Sequence, residues 1–473
     1  MYTFLGSIAL LILGYFVYGM FVEKIFGVKE DNPTPAKEMA DGVDYVEMDW
    51  KKIFLIQFLN IAGLGPIFGA VAGALWGPAA FLWIVFGSIF AGAVHDFFSG
   101  MLSIRHKGAS ASEIIGIYLG DNVKKIMRVF SVVLLVLVGT VFMAGPAGIL
   151  ADLTGMTART WIMVILGYYF IATILPVDKV IGKVYPIFGA ALLIMAGGIA
   201  IGLFTNGYQI PEVTLQNLHP DSAPIWPLLF VTIACGAISG FHATQSPMMA
   251  RCVTNEKHGR KVFYGTMIAE GIIALIWAAA AMTFFGGTEG LGLALGEAGG
   301  NQAPIVREIS TELMGVVGGV LAMLGVVAAP ITSGDTAFRS ARLTIADSFG
   351  YKQGPISKRL TVALPLFVIG FTLTFIDFDI IWRYFAWSNQ TLAMFMLWAA
   401  SAYLYVNNKL HWIASIPATF MTAVSVTYIL QADEGFKLAT SISYPVGIGV
   451  AILVLGLFIL TGKKWPKKSA ISN

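Results

Sequence analysis

Few side chains in this sequence can do chemistry, because only 12% of its 473 residues are charged and 57% are apolar. Those that stand inside apolar stretches are therefore informative. His95 and Asp96 are adjacent in AGAVHDFFSG, His242 and Gln245 follow Ser239 and Gly240 in SGFHATQSP, and Glu270 lies between Ala269 and Gly271. Imidazole titrates near neutrality and a buried carboxylate can hold a proton, so His95, Asp96 and Glu270 are candidate members of a proton relay. For His95 and Asp96 the competing role is a structural hydrogen-bonded pair. Asp335 in ITSGDTAFR has Thr332, Ser333 and Thr336 on adjacent turns, an oxygen-rich set suited to a hard cation such as sodium. Arg339 and Arg342 follow closely, so an ordinary Asp335–arginine ion pair competes with that role. His242 and Gln245, three residues apart, share a helical face and could donate to a carboxylate or a peptide carbonyl. Ser388, Asn389 and Gln390 in WSNQT suit either a polar path or interhelical hydrogen bonding.

The elements that must position these groups are membrane helices. About 20 apolar residues cross the hydrocarbon core. Windows of that length give thirteen stretches: 4–22, 53–75, 80–102, 129–151, 160–176, 185–205, 225–247, 263–285, 313–336, 360–376, 380–404, 411–430 and 444–461. The first has no basic residue before Lys24 and reads as a retained anchor rather than a cleavable signal. Of the 30 Lys and Arg residues, all but Arg159, Arg307, Arg383 and Lys437 fall on alternate connections that include the tail. Positive charge is retained in the cytoplasm, so the N-terminus is expected outside and the C-terminus inside. Arg383 is expected either to attract anions or to snorkel to the interface. Segment 206–224 reads as an irregular external loop. The glycine-rich stretch 286–300 reads as a flexible loop or a re-entrant dip. Two cysteines form no disulfide framework or metal site, a net charge of +3 gives no case for nucleic acid, and no cofactor or metal is implied.

Two stretches carry residues that interrupt helices. FLNIAGLGPIFGAVAG places Gly63, Gly65 and Pro66 after Asn60 in the second span; TIACGAISGFHATQSPMMA places Gly236, Gly240 and Pro247 in the seventh. Broken helices at membrane depth are tolerated where the freed backbone faces protein or a polar cavity. The second and seventh spans are five apart, an odd offset that inverts their orientation. Inverted five-helix repeats with broken first helices are a plan of secondary transporters, with substrate bound at the breaks. Residues 53–205 and 225–406 are read as the two repeats, with 1–52 an anchor and cytoplasmic loop, 206–224 the external loop, and 407–473 two further helices and a basic tail. Asn60, Gly63, Gly65, Ser239, Gly240, His242, Gln245, Asn389 and Gln390 are the expected substrate-binding set.

The strings NIAGLGPIFGAVAGALWGP, AGAVHDFFSGMLSIRHKGAS and APITSGDTAFRSARL resemble the carbon starvation protein A (CstA) family over nearly the whole chain. The resemblance implies an all-α polytopic transporter of the bacterial inner membrane, with about 13 helices and a LeuT-like 5+5 repeat. It also implies uptake of pyruvate with protons, or of peptides, during carbon starvation. Sodium coupling, a passive channel, and serine hydrolysis by Ser239 with His242 are the rival readings. No HExxH or phosphate-binding loop is present to support a metalloprotease or a nucleotide-driven pump.

Overall fold

A main chain in hydrocarbon has to close its own hydrogen bonds, which leaves the helix as the natural element for a chain this apolar. The computed structural model describes residues 1–462 except 43, 175, 176, 352 and 354, and side chains at all of these but 152, 177–184, 322 and 379. The basic tail therefore lies outside the described residues. Among those described, each of the thirteen expected stretches falls on helix. Eight helices are long and apolar enough to span a bilayer unaided, and two bent pairs raise this to ten. The fifth span, Ala158–Ile174, is shorter, the seventh is interrupted, and the eleventh is Phe378–Val406.

The second span is the bent pair Trp50–Ile61 and Gly65–Trp76, which turns by 47° across Ala62, Gly63 and Leu64. The seventh consists of Ile225–Thr232 and Gly240–Ala250, joined by a non-helical stretch. These two spans cross in direct contact. Gly65, Gly69 and Gly73 recur every four residues and form one face, on which residues 232–235 lie. A Cβ at Gly65 would stand 2.4 Å from Cys235 Cβ, and one at Gly69 would stand 2.9 Å from the Thr232 carbonyl oxygen. Small residues at this spacing let backbones approach closely, as membrane helix pairs do generally.

A π-turn interrupts three other spans. Ser88–Gly92 precedes His95 and Asp96 in the third span (Ala79–Arg105), Arg260–Tyr264 precedes Glu270 in the eighth (Glu256–Phe284), and Met323–Ala328 precedes Thr332 in the ninth. A π-turn holds one extra residue and rotates the succeeding turns about the helix axis, which brings the polar positions inward. The first two meet, with Tyr264 Oη donating to Ile89 O at 3.0 Å.

Contacts define two further places singled out in the sequence. Residues 288–297 form a helix, Thr288–Glu297, whose Leu291 and Leu295 are buried, so the glycine-rich stretch is not a plain flexible loop. Arg383 pairs with Glu434 at 3.4 Å, so it does not stand free to attract anions. On the face bearing Lys29 and Arg105, buried Glu256 accepts from Arg105 Nε at 3.0 Å, the Lys29 amide at 3.1 Å and Asn32 Nδ2 at 3.1 Å. Arg105 also reaches Tyr403 Oη at 2.6 Å and Gly27 O at 2.8 Å. Glu256 thus fastens the first connection to the third, eighth and eleventh spans.

These contacts set two stability outcomes. Gly69→Ala meets backbone that cannot swing aside and should cost about 1–3 kcal/mol, read as a lowered thermal midpoint in detergent, whereas Gly6→Ala, with nothing within 4 Å, should be silent. Glu256→Ala strands a partly buried guanidinium and should cost about 3–5 kcal/mol in the same measurement.

Candidate functional site

Interrupting the seventh span frees main-chain groups, and neighbouring spans satisfy them one by one. Gln390 Nε2 donates to Phe230 O at 2.9 Å on the half-helix Ile225–Thr232, while Asn389 Oδ1 accepts from the Phe241 amide at 2.7 Å on Gly240–Ala250. Two adjacent residues of the eleventh span therefore hold both sides of the break. Trp83 Nε1 donates to Ile233 O at 3.0 Å and Ser88 Oγ donates to Gly236 O at 3.1 Å, so the third span covers the unwound stretch between them. At the break in the second span, Ser333 Oγ donates to Leu59 O at 3.2 Å.

Four fully buried titratable side chains gather at the half-helix Gly240–Ala250. His95 Nδ1 lies 2.8 Å from Asp96 Oδ1, and His242 Nδ1 lies 2.9 Å from Asp96 Oδ2. The other ring nitrogen of His242 is 3.4 Å from Glu270 Oε2. That contact is ionic in distance but not aligned as a hydrogen bond, and both Glu270 oxygens and His95 Nε2 lack hydrogen-bond partners. The result is a chain, His95–Asp96–His242–Glu270, spanning three helices without solvent exposure. Two of the contacts are at hydrogen-bond distance and the third is ionic only, and a net charge change in so dry an interior is costly.

Of the expected substrate set, His242 joins this chain rather than standing free. Asn389 and Gln390 clamp the break. Asn60 is fully buried beside the second break with neither amide atom bonded, and Gln245 keeps an unbonded Oε1 after donating to Thr244 Oγ1 at 2.9 Å. Gly63 and Gly65 lie at the second break, against Phe142 and Cys235, and Gly240 lies against Asn389 O. Ser239 Oγ accepts from Cys235 Sγ at 3.4 Å, and both ring nitrogens of His242 face carboxylates, so the hydroxyl–imidazole pair that serine hydrolysis needs is not formed.

The residues around Asp335 form a separate group. Tyr185 Oη donates to Thr332 O at 2.9 Å and reaches Asp335 Oδ2 at 3.4 Å. Arg339 instead donates to Ala172 O at 2.7 Å and Arg342 to Gln353 Oε1 at 2.7 Å; the expected Asp335–arginine pair is absent among the described residues. The hydroxyl protons of Thr332 and Ser333 go to carbonyl oxygens, at Ala329 and Leu59. Trp83, Ser88 and Cys235 were not legible as site residues, because a tryptophan, a serine and a cysteine in apolar helices carry no spacing signal.

Two crossed broken helices, five spans apart, inside an all-helical bundle define the architecture of LeuT-fold secondary transporters. The chain superposes on MhsT in complex with L-phenylalanine with a TM-score of 0.57 at 15% identity, covering 87% of this chain and 98% of that one. The model of the family described as carbon starvation protein CstA matches residues 1–152 and 144–288, and the chain belongs to that family. It is 45% identical to an uncharacterized membrane protein of Haemophilus influenzae, over 60% of this chain and 91% of that one. It is 25% identical to the peptide transporter CstA of Campylobacter jejuni, over 95% of this chain and 83% of the relative. To the pyruvate/proton symporter BtsT of Escherichia coli it is 26% identical, over 69% of this chain and 56% of the relative.

Asn389→Ala should leave the Phe241 amide unsatisfied and cost about 1–2 kcal/mol, visible as a lowered thermal midpoint. Asn389→Asp, which keeps the acceptor, should recover most of the loss.

Proposed function

We propose that this protein is a secondary active transporter of the bacterial inner membrane that takes up a small peptide or pyruvate by proton symport and alternating access. The observation that carries this reading is the buried chain from His95 to Glu270, because its central member sits on the inner half of an interrupted helix. Asp96 belongs to the third span and Glu270 to the eighth, so a swing of the half-helix changes the distances from His242 to both carboxylates. Protonation of the chain then favours one arrangement over the other, which is the differential affinity that a coupled conformational change requires. A gradient of one pH unit supplies about 1.4 kcal/mol per proton, enough for roughly tenfold accumulation of a neutral or zwitterionic solute.

The substrate is read as lying between the two breaks, where Asn60 and Gln245 hold unbonded polar atoms. The Lys and Arg distribution supports an external N-terminus and a cytoplasmic C-terminus. The relatives named for peptide and for pyruvate transport support both substrate classes.

In proteoliposomes with an acidic exterior, labelled dialanine or pyruvate should accumulate equally well in sodium and in potassium buffers. Glu270→Gln and Asp96→Asn should reduce gradient-driven accumulation by about tenfold or more while retaining solute exchange. Accumulation with unaltered pH dependence in both variants would overturn the proton assignment. A strict sodium requirement would move coupling to Thr332, Ser333 and Asp335.

A further inference from the structure

A polar passage leads from the inner half of the seventh span toward the side bearing Arg128 and Arg251. Its throat, about 30 Å³, is lined by Ser112, Ser131, Thr244, Met248, Arg251 and Ser340 among others. This is roughly the share of liquid volume taken by one water. Beyond it opens a basin of about 430 Å³ with Glu113, Arg128 and Tyr351 in its wall, and Ser110 and Asp347 belong to both.

One side of this passage is built to hold an anion. Ser110 caps the helix Ala111–Leu119, accepting from the Glu113 amide and supplying its own carbonyl to Ile114. The first-turn amides of Ala111 and Ser112 remain as donors on the lining. Ser131 Oγ lines the same throat and is unpartnered, with its residue only 3% exposed. Arg251 is held in place by Gly108 O, to which its Nε donates at 3.0 Å, and by the Tyr45 ring at 5.2 Å, while no carboxylate among the described residues lies within ion-pair distance of it.

The other side offers the opposite charge. Asp347 has no cation within ion-pair distance among the described residues: Arg128 and Lys124 are both committed to Glu113, and Arg251 acts on Asp347 without touching it. A cation and an anion that are not in contact thus share one cavity. Opposite charges against low-dielectric walls attract strongly, so an arrangement that keeps them apart suits a ligand that bridges them.

We infer that this passage is a second substrate site, on the release route, that grips a zwitterion at both ends. Its carboxylate is held by Ser131, the Ala111 and Ser112 amides and Arg251, and its ammonium faces Asp347. A keto acid supplies only the first contact and leaves Asp347 opposed to its charge. This inference deepens the transport reading and rests on it.

Competition against labelled dialanine on the purified full-length protein, without any gradient, tests it. N-acetyl-dialanine and dialanine amide should each bind at least about tenfold more weakly than dialanine, as expected when a charged contact is lost, and pyruvate should compete more weakly still. Asp347→Asn should erase the penalty for acetylation while keeping the penalty for amidation, and Arg251→Gln should do the reverse. The unmodified protein with blocked ligands keeps the test valid if a variant misfolds. Equal competition by pyruvate, or an acetylation penalty untouched by Asp347→Asn, overturns the inference while the transport reading stands. Failure of any solute to accumulate in proteoliposomes overturns the transport reading itself.

Discussion

Main-chain groups freed inside a membrane need partners, and the structure is organised around supplying them at two places. Each unsatisfied amide or carbonyl in a water-free interior costs a few kcal/mol by order of magnitude, so a helix can be interrupted only where other helices bring donors and acceptors to the gap. In the seventh span these come from Gln390, Asn389, Trp83 and Ser88. None of these bonds is to a charged group. The glycine face at 65, 69 and 73 serves the same end from the opposite side by letting two backbones meet without intervening side chains.

The buried ionisable chain depends on this arrangement. Asp96 and Glu270 occupy the second helix of each repeat, each shortly after a π-turn, and the two π-turns touch through Tyr264 and Ile89. The inverted repeat thus brings one carboxylate from each half toward a single imidazole. Two buried carboxylates and two imidazoles amount to a site whose charge changes by whole protons. An isolated charge at this depth would be strongly disfavoured, but one shared along 2.8–2.9 Å contacts is not.

Much of this was legible in the sequence because its causes are local. Apolar runs set the spans, glycine with proline marked both interruptions, and the rarity of buried charge singled out His95, Asp96, Glu270 and Asp335. The features that escaped have long-range causes. Nothing near His242 announces that it lies between two carboxylates contributed by other helices, and the spacing that suggested an ion pair from Asp335 to Arg339 was defeated when Ala172 O captured the guanidinium. The regular spacing of Gly65, Gly69 and Gly73 was on view but indistinct among 52 glycines. The helix Thr288–Glu297 was hidden for a related reason, since glycine at three of its ten positions lowers helix propensity and only burial of Leu291 and Leu295 offsets it.

The half-helix Gly240–Ala250 ties the buried chain and the polar cavity together mechanically. His242 places its ring in the buried chain, and two residues later Thr244 lines the throat, where Ser340 Oγ donates to its carbonyl at 3.4 Å. Pro247 and Met248 line the same throat on the next turn. A helix moving as a unit cannot widen that passage without displacing His242 from Asp96 and Glu270, nor restore those contacts without narrowing the passage. One segment thus carries the contact with both carboxylates near one end and a wall of the cavity along the rest.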